Sequence, residues 1–276
     1  MLLKFFAATG AAATALKLAI GGVKGGVFKV TFAALLRFIE YFLITGVGYL
    51  GLLYLITELT IKLEEPQDEP SAFWKWQFGE IAEMVRSVFR VKIEINGLEL
   101  LPEDGRYLMV SNHRSLFDPV TMAAAFKNQE YVYISKPSNF KIPIAGKVMH
   151  KCGCLALNRE DNREALVTIK RAAEIIGNDS ASVVIYPEGT RSQKDELLPF
   201  HAGSFKIAQK ANAPVVAVAM RNTDKVVHRG PIRKTTVYID VVGVIDSDYI
   251  KTHNTKETAQ LAQSMIQERL DIEKKK

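Results

Sequence analysis

The chain has 276 residues, 24% of them charged and 48% apolar, with a formal net charge of +6 and a mean hydropathy near zero. That length suits one large domain or a domain with an appendage, and the composition excludes a wholly disordered chain. Cys152 and Cys154 are the only cysteines, which excludes a disulfide-rich scaffold; a strain-free bridge between them is implausible, so they point to a reducing compartment.

The first sixty residues differ from the rest. They hold five basic and two acidic residues, so their net +3 is half of the +6 total. Residues 5–16 and 41–57 carry no charge. As a helix the second run, YFLITGVGYLGLLYLIT, would reach about 26 Å, slightly short of a ~30 Å hydrocarbon core. The first run reaches only about 18 Å by the same rise. Three readings fit: a signal peptide cleaved near Ala-rich residues 7–15, a spanning helix at 38–57, and a helical pair embedded in one leaflet. Lys17, Lys24, Lys29 and the second apolar run count against the first. A single span with its Lys-rich flank held inside would send everything after Glu58 outside. Tyr41 and Tyr54, at either end of the run, suit a membrane interface better than a soluble core. Residues 1–60 are therefore expected to be membrane-associated hydrophobic helices.

Residues 61–72 read as a linker, because KLEEPQDEPS is acidic and marked by prolines. In the next segment Trp74, Phe78, Ile81, Val85 and Phe89 recur every three or four residues, with Lys75, Glu83, Arg86 and Arg90 off that stripe. Such a stripe packs on a core; Trp74 and Trp76 also admit a membrane-surface role.

From residue 91 the pattern becomes alternating. Segments 91–95, 107–111, 131–135, 152–157, 182–187, 214–220 and 235–242 read as β-branched strands. Helices are expected at 118–127, 143–151, 161–176, 203–211 and 255–273, the longest internal one capped by Asp161 and ended by Gly177. Residues 73–276 are thus expected to form an α/β domain with a mixed, largely parallel sheet flanked by helices. In such sheets ligands collect beyond the carboxyl ends of the strands. His113, Arg159 and Glu188 each follow a strand end, which directs all three to one crevice.

The first of these clusters is SNHRSLFDP, residues 111–119. Asp118 begins a helix with Pro119 at a favoured first-turn position, and it can fold back on His113 across the tight loop. That pairing would fix the imidazole tautomer and stabilise the imidazolium, making His113 a general base for a hydroxyl. Taken alone, the spacing also fits a plain helix cap. The second cluster, YPEGTRS at 186–192, offers a carboxylate, exposed amides at Gly189, hydroxyls and a guanidinium, a set suited to phosphate. Arg159 follows a buried-looking strand, and pairing with Glu160 or Asp161 is the alternative to a substrate contact. Lys136, Lys141 and Lys147 flank the segment after the third strand and fit either substrate contact or solvation. No G-x-S-x-G elbow surrounds Ser204, and Cys152 and Cys154 read as small packed hydrophobes. His113 and Asp118 supply only two metal ligands, with no companion motif, and neither a P-loop nor a dinucleotide fingerprint occurs.

Together these clusters resemble the glycerolipid acyltransferase family, especially the bacterial 1-acylglycerol-3-phosphate acyltransferases. Four blocks match in order over roughly residues 75–245: SNHRSLFDP at 111–119, GCLALNR at 153–159, YPEGTRS at 186–192 and APVVAVA at 213–219. Ala217 stands where family members often carry a second proline. The resemblance implies transfer of a fatty acyl group from an acyl-CoA or acyl-carrier-protein thioester to the sn-2 hydroxyl of lysophosphatidic acid, giving phosphatidic acid for phospholipid biosynthesis. It implies His113 as base, Asp118 as its orienting partner, and Glu188, Gly189, Thr190 and Arg191 as the acceptor-binding loop. Arg159 would help hold the phosphate, and Lys136 is added as a substrate-binding candidate. No cofactor or metal is implied.

Two further readings stay open: an acyltransferase acting on another lysophospholipid or glycerol 3-phosphate, and a non-catalytic membrane-surface lipid-binding protein. Nucleic-acid binding is disfavoured, because no recognised module accompanies the modest positive charge. A reducing cytosol is where acyl thioesters are found, which favours a monotopic anchor with the catalytic domain on the cytoplasmic face.

Overall fold

A computed structural model describes residues 1–21, 27–63, 70–193 and 196–274. Lys24, residues 64–69 of the expected linker, and Lys275 and Lys276 lie outside the described residues. The chain divides into two compact units, Met1–Glu65 and Pro66–Lys276.

The first unit is a pair of helices, α1 (Leu2–Gly21) and α2 (Val27–Thr60). Both are long and apolar enough to cross a bilayer. Phe6 meets Phe42 edge-to-face at 6.3 Å and Tyr49 at 5.4 Å, while a Cβ at Gly10 would come within 3.3 Å of the Phe42 backbone nitrogen. The small residue therefore sets how closely the two backbones approach. The helix expected over 38–57 begins eleven residues earlier, at Val27. Arg37 and Glu40 pair at 2.8 Å within it, so its charges are matched locally and do not terminate the helix. Its 34 residues make it about 51 Å long, well beyond a ~30 Å hydrocarbon core.

The second unit is an α/β fold. Its strands are β1 (Val91–Asn96), β2 (Leu108–Ser111), β3 (Tyr131–Ser135), β4 (Leu155–Ala156), β5 (Ser182–Ile185), β6 (Val215–Arg221) and β7 (Thr235–Ile245). They form one sheet in the order β1-β7-β6-β2-β5-β3-β4. From β6 to β4 all neighbours are parallel, whereas β7 runs antiparallel to β6 and parallel to β1. The helices are α3 (Ala72–Val88), α4 (Phe117–Ala125), α5 (Ala145–Lys151), α6 (Asn162–Gly177), α7 (Lys206–Ala211), α8 (Thr223–Arg229), α9 (Ser247–Thr252) and α10 (Thr255–Lys274).

Alternation along the central strands divides the core between two faces. Leu108, Val110, Val183, Ile185 and Val215 join Ile169 of α6, Ile207 of α7 and Ile266 of α10 in one buried cluster. On α3 the expected stripe packs inward: Phe78 meets Tyr133 at 5.8 Å and Phe89 meets Phe117 at 4.7 Å. Trp76 remains 43% exposed.

The strand expected at 152–157 shrinks to Leu155–Ala156. Cys152 instead closes α5, its N–H donating to the Val148 carbonyl at 2.9 Å, and Gly153 turns with φ +80°. The helix expected at 203–211 opens as a 3-10 turn over Ala202–Phe205 before α7. Helices α8 and α9, of seven and six residues, are too short for a periodic signal.

Candidate active site

Strand β2 places Ser111 in the sheet and releases Asn112 and His113 beyond its carboxyl end. Asn112 is buried. Its amide clasps β6, Nδ2 donating to the Met220 carbonyl at 3.0 Å and Oδ1 accepting the Met220 N–H at 2.7 Å. This clasp fixes where the next residue emerges. It was not legible in the sequence, where Asn112 was only a letter in a block, because its partner lies more than a hundred residues away.

His113 Nδ1 and Asp118 Oδ2 lie 2.8 Å apart, with the Asp118 side chain fully buried and that of His113 21% exposed. The same carboxylate oxygen accepts the Arg114 N–H at 2.6 Å and the Ser115 N–H at 2.7 Å. Because Oδ2 already accepts two backbone amides, it meets Nδ1 as an acceptor; the tautomer that suits this contact carries its proton on Nδ1 and leaves the Nε2 lone pair to accept a proton. The expected pairing is thus present, and it needs both the helix start at Phe117 and the turn before it. Tyr186 lies across the other ring, 4.6 Å from the His113 centroid and tilted by 28°. It is buried, and its hydroxyl has no hydrogen-bond partner among the described residues. Burial pushes that phenol well above its ordinary range. Its stacking role escaped sequence reasoning, which read only the polar letters after it.

Glu188 follows β5 and is buried. Oε1 accepts the His113 N–H at 2.5 Å, and Oε2 accepts the Leu198 N–H at 2.9 Å. Both oxygens are therefore spent on backbone, tying the β2 loop to the segment after β5. Burial, more than those hydrogen bonds, sets its pKa and raises it above the ordinary carboxylate value. A second stitch joins the same loops, because the Ser192 N–H donates to the His113 carbonyl at 2.9 Å.

Gly189 adopts φ +73°, and a Cβ there would lie 1.3 Å from Arg159 Nη1. Arg159, leaving β4, thus crosses the glycine, its Nη2 3.5 Å from the Tyr186 carbonyl. It pairs with neither Glu160 nor Asp161 among the described residues; Asp161 caps α6 through the Arg163 and Glu164 amides. The amide of Gly189, expected to be exposed, instead donates to the Tyr186 carbonyl at 3.1 Å, closing a tight turn. Thr190 and Arg191 are exposed, and their amides have no acceptor among the described residues. Lys136 is exposed where β3 enters a 3-10 turn at Pro137–Lys141. The structure places it on the same sheet edge, with no hydrogen bond or ion pair to the other site residues among the described residues.

Cys152 and Cys154 are buried and not disulfide-bonded, and burial raises both thiols, that of Cys154 to about 11. They are inert packing groups, as the sequence suggested. An open cleft of about 810 Å³ adjoins the site, lined in part by Asn112, Arg114, Glu188, Arg221, Tyr238 and Arg269. Two of these arginines donate to the buried Asp240, Arg221 at 2.9 Å and Arg269 at 3.1 Å. These arginines fall outside the motifs, and only the return of β7 and α10 to this edge brings them together.

Residues 92–221 match the protein-family model described as Acyltransferase. The chloroplastic 1-acyl-sn-glycerol-3-phosphate acyltransferase BAT2 of Brassica napus is 40% identical over 140 residues, or 50% of this chain and 40% of that relative. The chain thus spans well under half the length of the plant relatives it matches. The 1-acyl-sn-glycerol-3-phosphate acyltransferase of Escherichia coli is 25% identical over 193 residues, 70% of this chain and 78% of that one. Among solved structures, the LPA acyltransferase PlsC from Thermotoga maritima superposes with a TM-score of 0.63 at 20% identity, covering 85% of this chain and 93% of that one. At that identity the likeness speaks to the fold.

Proposed function

We propose, for a chain whose residues 92–221 match the family model described as Acyltransferase, that it moves a fatty acyl group from a thioester to the sn-2 hydroxyl of lysophosphatidic acid, giving phosphatidic acid. The observation that carries this reading is the single Asp118 oxygen that accepts from His113 and two backbone amides. It supports a ring locked in one tautomer, with Nε2 ready to accept a proton.

His113 takes the proton of the acceptor hydroxyl as that oxygen attacks the thioester carbonyl, so no acyl-enzyme forms. Asp118 stabilises the imidazolium, worth typically 10²–10⁴-fold in rate together with the base. The tetrahedral oxyanion is met by the amides of Thr190 and Arg191, the Gly189 amide being already engaged. The thiolate then leaves with the proton from His113. Arg159 and Arg191 hold the phosphate so that the hydroxyl reaches the base. The chemistry uses no cofactor or metal; acyl-CoA or acyl-carrier protein enters as donor substrate. The apolar helices of the first unit anchor the enzyme to a membrane, with the catalytic unit on the cytoplasmic face where thioesters occur.

Supplying lysophosphatidate, glycerol 3-phosphate and other lysophospholipids with matched acyl-CoA and acyl-carrier-protein donors tests the assignment. The reading requires phosphatidic acid as the main product. Thiol release independent of any acceptor would make the protein a thioesterase.

A further inference from the structure

Residues 225–234, KVVHRGPIRK, run from within α8 to the start of β7 and carry Lys225, Arg229, Arg233 and Lys234 with no carboxylate among them. All four cations are exposed, and none forms an ion pair among the described residues. Two apolar side chains stand exposed between them, Val227 at 54% and Ile232 at 81%. They are not core residues left over, because α8 already has its buried anchor. Val226 packs in a small cluster with Val91, Phe117 and Val237.

Two more exposed apolar residues border that cluster. Val88 ends α3 beside Phe89, and Leu116 precedes Phe117. The segments are tied together: Arg90 Nη1 donates to the Ile232 carbonyl at 3.1 Å, and the Thr235 N–H donates to the Arg90 carbonyl at 3.3 Å. Arg114, in the catalytic loop, reaches Asp224 at the start of α8 at 3.9 Å. Because β7 is antiparallel to β6, with Tyr238 opposite Arg221, this surface lies beyond the carboxyl ends of β2, β5 and β6. That is the edge from which His113 emerges.

We propose that Val88, Leu116, Val227 and Ile232, fringed by Arg90, Lys225, Arg229, Arg233 and Lys234, form an anionic-lipid docking surface on the catalytic unit itself. Exposed aliphatic side chains enter the headgroup boundary while surrounding cations meet lipid phosphates. Each cation near an anionic bilayer favours binding about fivefold. An acidic protein partner would answer the cations, but it leaves the nearly bare Ile232 without a reason. All residues of the docking surface belong to the second unit. Its consequence, that a lysolipid passes from the bilayer directly to His113, rests on the acyltransfer reading above.

The test uses the full chain in vesicles of phosphatidylcholine, with and without phosphatidylglycerol. A bimane label is placed by Ile232→Cys or, on the opposite sheet edge, by Leu98→Cys after β1. The buried native cysteines are controlled by labelling the unsubstituted protein. Acyl-chain nitroxide lipids should quench the Ile232 label several-fold more than the Leu98 label. The difference should grow with phosphatidylglycerol and fall by at least half in an R229Q/R233Q/K234Q background. Equal quenching at the two positions, or no effect of anionic lipid, overturns the proposal. So does shielding of the Ile232 label from aqueous iodide by soluble acyl-carrier protein without vesicles. Quenching is read without turnover: a quenched but inactive chain sinks the acyltransfer reading alone, and an active but unquenched one sinks the docking surface alone.

Discussion

Arg159 crosses Gly189 so closely that a methyl group on residue 189 would sit 1.3 Å from its Nη1. The glycine is needed twice, once for its φ of +73° and once for the space its missing side chain leaves. Gly189→Ala should therefore cost about 1–2 kcal/mol in backbone strain and push Arg159 aside. The acceptor KM should rise about tenfold. A double-mutant cycle with Arg159→Ala separates the two effects: the strain persists in both backgrounds, whereas the steric part vanishes once the guanidinium is gone. Coupling above roughly 0.5 kcal/mol in acceptor binding is expected, and strict additivity would mean the crossing has no role.

Asn112 exchanges two hydrogen bonds with the Met220 backbone in a buried setting. Asn112→Ala leaves a β6 N–H and carbonyl without partners and should destabilise the fold by about 2–4 kcal/mol. Urea denaturation followed by circular dichroism measures this. Asn112→Asp should be worse, because it sets a carboxylate oxygen against the Met220 carbonyl.

Glu188 is raised above its ordinary 4.5 by burial, so its protonated form is favoured by folding relative to the unfolded chain. Its contribution to stability is fully present below 4.5 and is lost as pH climbs through the raised folded value. Wild-type stability should thus fall relative to Glu188→Gln across that window. Parallel denaturation curves of the two proteins at every pH would contradict the assignment.

Much of this was legible in sequence. Apart from the shortened β4, the strand positions in the second unit followed from β-branched runs, and the pairing of His113 with Asp118 followed from a carboxylate five residues on, at a helix start. Distance and direction were not legible. Glu188 was placed in the acceptor-binding loop by the resemblance of its block; the fold adds that its two oxygens accept the His113 and Leu198 amides. Gly189 looked like an anion-binding amide, and its turn consumes that amide. Asn112, Tyr186, Arg221 and Arg269 act through partners supplied by remote strands or helices, which no local pattern encodes. The basic segment 225–234 belongs to none of the matched blocks, and its exposure depends on the antiparallel return of β7.

Arg191 is exposed next to the Ser192 amide that binds His113. As a phosphate contact made in ground and transition states alike, its loss should raise the acceptor KM and leave kcat nearly unchanged. Steady-state kinetics of Arg191→Ala with varied lysophosphatidate decide this. A fall in kcat at constant KM would instead make the side chain a transition-state contact.

The central claim is that His113 removes the acceptor proton while Asp118 holds it in place. Its most direct measurement is formation of labelled phosphatidic acid from lysophosphatidate and a labelled acyl thioester by His113→Ala, checked for wild-type circular dichroism. The account predicts a folded protein whose turnover falls by about 10²–10⁴-fold or more, with acceptor binding retained. Near-normal turnover in that variant would contradict it.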